Sequence, residues 1–155
     1  MTKSKDRAGV RIPAPTLTLI HITMAILLGW LLPLPIPAPK FVQWIGLGLA
    51  ALGFILGVLA VIEFRRVRAA LDPKKPTKVL VTSGIYRFTR NPIYLGFVII
   101  LIGLPLTMGN YWGIVLILPL VTFMKNMVIK HEEAYLEKEF KNEFAEYCSR
   151  VRRWL

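Results

Sequence analysis

Four long apolar segments, roughly Leu17 to Leu34, Phe41 to Ile62, Ile93 to Leu106 and Tyr111 to Ile129, make up nearly half of this 155-residue chain. A run of about 20 apolar residues crosses the ~30 Å hydrocarbon core as a helix, whose backbone groups pair with one another where water is absent. Three of the segments reach or approach that length. The third is shorter and needs its flanks or a thinned bilayer. The chain is 55% hydrophobic and has a mean hydropathy of +0.54, above a soluble average. The expected fold is an all-α integral membrane protein of about four transmembrane helices, with an interfacial cytoplasmic loop and a C-terminal amphipathic helix. Residues 1–155 read as one domain: 1–64 hold two N-terminal spans, and 65–155 hold the loop, a helical hairpin and the last helix.

The net charge of +11 is unevenly placed. Lys3, Lys5, Arg7 and Arg11 precede the first span, and Arg65, Arg66, Arg68, Lys74, Lys75, Lys78, Arg87 and Arg90 fill the gap between the second and third. The opposite loops carry only Lys40. By the positive-inside rule both termini and the basic loop are cytoplasmic, as an even number of spans allows. Topology and attraction to anionic headgroups account for most of this charge, so nucleic acid is not an expected partner. Cys148 stands alone and His21 lies far from His131, which gives neither a disulfide framework nor a metal site. The first span lacks a small-residue cleavage site and runs into Pro33-Leu34-Pro35-Ile36-Pro37-Ala38-Pro39, so it is read as a span followed by a stiff non-helical linker.

The second span is rich in small residues: Gly46, Gly48, Ala50, Ala51, Gly53, Gly57 and Ala60. Small residues let helices approach closely in lipid, which makes this a packing face within the bundle or of a homodimer. Beyond Arg68, Asp72-Pro73-Lys74-Lys75-Pro76 interrupts the helix, and Val79-Leu80-Val81 reads as an extended piece lying on the bundle. Thr82-Ser83-Gly84 predicts a turn in which glycine takes a positive φ. Asn91-Pro92 predicts a helix start, with Asn91 as N-cap and proline at the first helical position. That places a positive dipole end at the cytoplasmic surface, suited to an anion. After Ile129, Leu136, Phe140, Phe144, Tyr147 and Val151 recur at i+3 and i+4, the pattern of an amphipathic helix expected to roof the basic loop.

Adjacent carboxylates at Glu132 and Glu133 close the last span, near the negative end of a helix dipole, and require compensation. An ion pair with Arg87, Arg90 or Lys130 would supply it, and so would a cationic ligand. Arg90 could reach phosphate headgroups or a substrate anion. Tyr86 and Tyr94 suit an interfacial belt without any further role. Their grouping at both ends of one hairpin points to a site at the membrane surface.

The sequence Leu80-Val81-Thr82-Ser83-Gly84-Ile85-Tyr86, then Arg90-Asn91-Pro92-Ile93-Tyr94, then Asn110, then Glu132-Glu133 and Leu136, resembles the isoprenylcysteine carboxyl methyltransferase family. It resembles the related phospholipid methyltransferases and their small prokaryotic relatives as well. The resemblance covers roughly residues 65 to 155; the first two spans match only in being apolar. It implies a methyltransferase of a prokaryotic inner membrane that uses S-adenosylmethionine without a Rossmann domain. The cofactor would sit in a cytoplasmic pocket closed by the C-terminal helix, and a lipophilic acceptor would enter from the bilayer. Carried over by motif, Lys78, Val79, Leu80, Val81 and Tyr86 would contact the cofactor. Asn91, Pro92, Ile93 and Tyr94 would form its other wall, and Glu132 with Glu133 would hold its polar groups. Its ammonium, sulfonium and carboxylate groups want acidic, aromatic and helix-N-terminal neighbours together.

Displacement at a sulfonium methyl needs alignment and dryness more than a nucleophilic side chain. Arg90 and Glu133 are the candidate catalytic residues: Arg90 steers an anionic acceptor, while a glutamate or His131 takes a proton from an amine. Relatives acting on isoprenylcysteine carry an arginine where this chain has Val128, a departure that counts against a prenylcysteine acceptor. Lys141 stands where relatives have glycine and Phe144 where they have tyrosine, so the last helix is expected to run unbroken. A further acidic residue is replaced by His131. A membrane reductase is the second enzyme reading, because Tyr147-Cys148-Ser149-Arg150 resembles the tail of sterol reductases. A non-enzymatic transport or assembly protein explains the spans but leaves the ordered motif unexplained.

Overall fold

In the computed structural model, residues 12–69, 77 and 79–154 are described. The basic residues before the first span, the Asp72–Pro76 helix break and Lys78 lie outside them. The described residues form helices and connecting segments with no strand. Helix α1 is Ala14–Leu31, α2 is Lys40–Arg66 and α3 is Pro92–Thr107. A helical column then runs from Trp112 to Arg150. Its parts are α4 (Trp112–Val115), α5 (Ile117–Met124), a π-helical turn (Lys125–Ile129) and α6 (Lys130–Arg150).

By length and apolarity, α1, α2 and the column Trp112–Arg150 can each cross a membrane. The apolar part of the column ends at Ile129, and Lys130, Glu132 and Glu133 come next. Helix α3 has 16 residues and, at 1.5 Å per residue, extends about 24 Å. As the sequence suggested, it is the short one. Between Leu31 and Lys40 the proline-rich linker is not helical.

Helix α3 lies at the centre, touching α1, α2, α4 and α5. Its closest partner is α2, and glycine sets that approach. A Cβ on Gly53 would stand 2.6 Å from the Gly96 carbonyl oxygen, and one on Gly46 would stand 2.6 Å from the Thr107 nitrogen. Gly53 meets Gly96 while Gly46 meets Gly103, so the two helices run antiparallel. Gly46, Gly53 and Ala60 are buried at intervals of seven, one seam along α2. Gly48 and Gly57 face open space. The small-residue face expected of the second span is thus divided: one stripe packs inside the bundle, and the other two glycines point outward.

The hairpin after α3 turns at Gly109, whose φ is +71°. There the Asn110 amide donates to the Ala25 carbonyl of α1 at 2.7 Å and its oxygen accepts from the Trp112 N–H at 2.9 Å. Gly29 leaves the space into which Asn110 fits. Asn110 therefore ties three elements together, a structural duty for a residue that the sequence marked without a role. Pro105 lies inside α3 and cannot donate to the carbonyl four residues back. That carbonyl, on Leu101, is the atom against which Gly113 of α4 packs.

The last helix is not unbroken. Lys141 has φ 44° and ψ −112°, a bend inside α6. The bend brings Phe144, Tyr147 and Val151 back against Leu80, with Leu136 and Phe140 packed alongside. Burial of this cluster explains why the helix turns where its sequence carries no glycine: a straight helix would carry these aromatic groups away from the bundle. The amphipathic helix lies over the described part of the loop it was expected to roof, since it packs on Leu80 and the Tyr147 hydroxyl donates to the Tyr86 carbonyl at 2.7 Å.

Candidate active site

The turn before α3, the first turn of α3 and the start of α6 converge at one end of the bundle. A strap formed by Val151–Trp154 folds back over them. Tyr94, in the first turn of α3, donates its hydroxyl to both oxygens of Glu132, at 2.6 and 2.7 Å. Arg153 in the strap forks onto Glu133, Nε to Oε1 at 2.9 Å and Nη2 to Oε2 at 2.5 Å. The Arg90 Nη1 lies 3.5 Å from Glu133 Oε1 and also contacts the Cys148 sulfur. Arg90 Nε is buried without a hydrogen-bond partner.

The two glutamates therefore differ. Glu133 is compensated by two guanidinium groups, so the ion pair expected of Arg90 is present, with Arg153 as the closer partner. Among the described residues, Glu132 has only a neutral phenol as partner. Burial pushes its carboxyl from 4.5 up to about 7; the Tyr94 hydrogen bond pulls the other way, and the Glu133 charge adds to the rise. The hydrogen bond to Glu133, the largest influence on Arg153, holds that guanidinium more firmly in its charged form.

Asn91 sits at the N-cap position with Pro92 starting the helix, but its side chain makes no capping bond. The strap competes for it: the Asn91 Nδ2 donates to the Arg153 carbonyl at 2.9 Å. Thr89 Oγ1 donates to the same carbonyl at 3.2 Å, and the Arg90 N–H donates to the Arg152 carbonyl at 3.0 Å. The strap thus fixes the three consecutive residues that lead into α3.

Other site candidates line the approach. Leu80 is buried under α6, while Val81 and Tyr86 pack with Ala60 near Phe64 and Ile93. Pro92 is fully buried, whereas Val79 is 40% exposed. The Tyr86 ring meets Phe64 edge-on with centroids 5.5 Å apart. His131, Lys125 and Lys130 are exposed. Val128, where the resemblance implies a departure from an arginine, is only 1% exposed in an apolar cluster.

Two participants were not expected. Arg153 is one of three arginines near the end of the sequence, and spacing alone does not single it out. Glu63 was legible: it is the only acidic residue in α2, and an acidic group in an apolar helix is a functional candidate. It is 7% exposed and accepts a hydrogen bond from Ser83. Gly84, with φ +58°, lies so close that a Cβ would stand 2.6 Å from Glu63 Oε2. Glu63 thereby pins the turn from which the 3₁₀ segment Gly84–Arg87 carries Tyr86 into the site.

The π-helical turn Lys125–Ile129 directly precedes the acidic pair. Such turns recur at functional sites because the added residue re-aims the side chains of the next helical turn. Here Val128 and Ile129 are both buried, and Glu132 is delivered against Tyr94.

No solved structure matches this chain. The protein-S-isoprenylcysteine O-methyltransferase of Schizosaccharomyces pombe is 31% identical over 111 residues, 70% of this chain and 47% of that protein. Protein-S-isoprenylcysteine O-methyltransferase B of Arabidopsis thaliana is 32% identical over 120 residues, 74% of this chain and 61% of that protein. An uncharacterized protein of Haemophilus influenzae is 33% identical over 63 residues, 41% of this chain and its own entire length. The chain thus spans about half to three-fifths of the length of the two named enzymes. Residues 41–143 match the sequence model of the phospholipid methyltransferases, a range that includes all but the first residue of α2, the whole of α3 and the acidic pair. A family of this kind implies a methyl donor, and with that match over most of its length the chain belongs to the phospholipid methyltransferase family.

Proposed function

We propose that this protein is an integral membrane methyltransferase that moves a methyl group from S-adenosylmethionine to a lipophilic acceptor. The observation that carries the reading is the unequal pairing of the two glutamates beside a buried, unpartnered Arg90 Nε. A carboxylate with no cation paired to it among the described residues, and a guanidinium that pairs with Glu133 through Nη1 but keeps a free donor at Nε, match the ammonium and carboxylate of an amino-acid group. The residues present fit the donor.

Glu132 holds the cationic portion, oriented by the Tyr94 hydroxyl. Arg90 faces an anion, whether of the donor or of the acceptor, and Glu133 orients Arg90. Both Glu133 oxygens are engaged by guanidinium donors, so positioning suits it better than taking a proton. Tyr86, Leu80, Val81, Pro92 and Ile93 supply apolar walls, with Val79 and Asn91 at their edge. When bound, the donor supplies an electrophilic sulfonium methyl. The chain contributes alignment and exclusion of water, for which the α6 roof and the strap are suited.

The sequence charge bias supports four crossings with both termini and the site cytoplasmic; the prokaryotic inner membrane rests on the resemblance to small prokaryotic relatives. The named relatives act on isoprenylcysteine. The apolar burial of Val128 favours a different lipophilic acceptor here, such as a phospholipid amine or a thiol. A homodimer could form through the outward Gly48 and Gly57. The test is incubation of purified protein with methyl-labelled S-adenosylmethionine and a total lipid extract. Label should pass to the organic phase with wild-type protein and not with Glu132→Gln; label confined to the aqueous phase would overturn the reading.

A further inference from the structure

We infer that Arg153 is a positioning residue for the proposed donor site: by forking onto Glu133 it leaves Glu132 and the Arg90 Nε to face one zwitterionic, amino-acid-like ligand. This rests on the reading of the site given above. The strap that carries Arg153 is over-determined. Its backbone carbonyls accept from Thr89, Arg90 and Asn91, and Trp154 packs against the core cluster around Leu101, Met124 and Val128. A surface arginine held only by its charge would not need these contacts. Here the backbone is clamped on one side of the site so that the guanidinium reaches the other.

The chemistry depends on who else faces the acidic pair. Tyr94 comes from α3, Tyr86 from the 3₁₀ segment, Arg90 from the turn before α3 and Arg153 from the strap; Lys130 and His131 on α6 itself are exposed. Tyr94 and Tyr86 are neutral, so among the described residues Arg90 and Arg153 are the cations that offset two adjacent carboxylates. With Arg153 in place, Glu133 is satisfied bidentately. Without it, Arg90 is drawn fully onto Glu133 and its Nε is lost to a ligand. The less compensated Glu133 charge then opposes ionisation of Glu132, as a like charge does. Arg153 acts through its neighbours in both respects.

The experiment is calorimetric titration of S-adenosylhomocysteine into full-length protein in detergent between pH 5.5 and 8.5, for wild type, Arg153→Gln, Arg153→Lys and Trp154→Ala. Wild type should bind more tightly as pH rises through about 7. Arg153→Gln should bind roughly tenfold more weakly at neutral pH, with the midpoint moved up by about one pH unit. Arg153→Lys keeps the charge without the fork and should restore the midpoint while recovering only part of the affinity. Trp154→Ala removes one of the strap's contacts but keeps its three backbone bonds and the guanidinium, so its midpoint should move less than that of Arg153→Gln. If wild type binds and Arg153→Gln, shown folded by circular dichroism, matches it in affinity and midpoint, the inference is wrong while the site reading stands. An equal midpoint shift in Trp154→Ala would also overturn it, by making the effect one of strap folding. If folded wild type does not bind, the site reading itself fails.

Discussion

The Tyr94 hydroxyl bridges both carboxylate oxygens of Glu132, at 2.6 and 2.7 Å, across 38 residues of sequence. One phenolic proton serves two acceptors, so the bond orients the carboxylate without neutralising it. The polar ends of α3 and α6 are joined here by a group that holds a negative charge ready for a cation.

Removing only that hydroxyl tests its role. Tyr94→Phe keeps the ring, which sits beside Phe97 at a centroid distance of 6.4 Å. We predict about tenfold weaker S-adenosylhomocysteine binding, the ~1.4 kcal/mol expected of one hydrogen bond to a charged group. The melting temperature in detergent should change little. Calorimetry and thermal unfolding measured together decide it.

The raised Glu132 carboxyl gives a pH dependence of definite sign. Its folded value, about 7, lies above the unfolded 4.5. Between these values the unfolded chain has lost a proton that the folded one retains, so stability is full below about 4.5, declines as pH rises to about 7 and then levels. Cation binding needs the ionised form and should strengthen over the upper part of the same window. Glu132→Gln should remove both slopes. Chemical denaturation at a series of pH values reads the first, and ligand titration reads the second.

Glycines of α2 and α3 should divide by the face they occupy. Gly53→Ala and Gly96→Ala each place a Cβ 2.6 Å from a facing backbone carbonyl oxygen, and should cost on the order of 1–3 kcal/mol through forced separation of α2 and α3. Gly48→Ala meets nothing within 4 Å and should be neutral or stabilising by up to about 1 kcal/mol through helix propensity. Unfolding in mixed detergent compares them. Equal destabilisation by all three would contradict the packing described.

Lys141 occupies a backbone conformation, φ 44° and ψ −112°, that glycine accepts and a residue with a Cβ resists. Such a position stores about 1–3 kcal/mol of strain. Lys141→Gly should therefore stabilise the protein by about 1 kcal/mol, against the loss normally expected of glycine within a helix. A lowered melting temperature would show that the bend is not fixed there.

The helices and the convergence of Tyr94, Arg90 and the glutamate pair were legible because they depend on patterns local to the sequence. Apolar length marks α1, α2 and the column; Asn91-Pro92 marks the start of α3; the adjacent glutamates mark the other wall. The positive φ of Gly84 was readable from Thr82-Ser83-Gly84. The strap was not legible, because bringing Arg153 over Glu133 depends on where the helix bends. That bend lies at a lysine, put there by burial of Phe144, Tyr147 and Val151 against Leu80. Asn91 takes the expected N-cap position but makes no side-chain capping bond, for the same reason: a distant carbonyl takes its amide. Glu63 stood out in an apolar helix, but its partners Ser83 and Gly84 become visible only once α2 and the turn are side by side.

The most direct measurement is titration of S-adenosylhomocysteine into purified, folded wild-type protein and into Glu132→Gln. Saturable binding to the first and at least tenfold weaker binding to the second is the predicted result. No heat from wild type with either S-adenosylhomocysteine or S-adenosylmethionine, or indistinguishable binding by Glu132→Gln, would contradict the assignment of this acidic pair to the methyl donor.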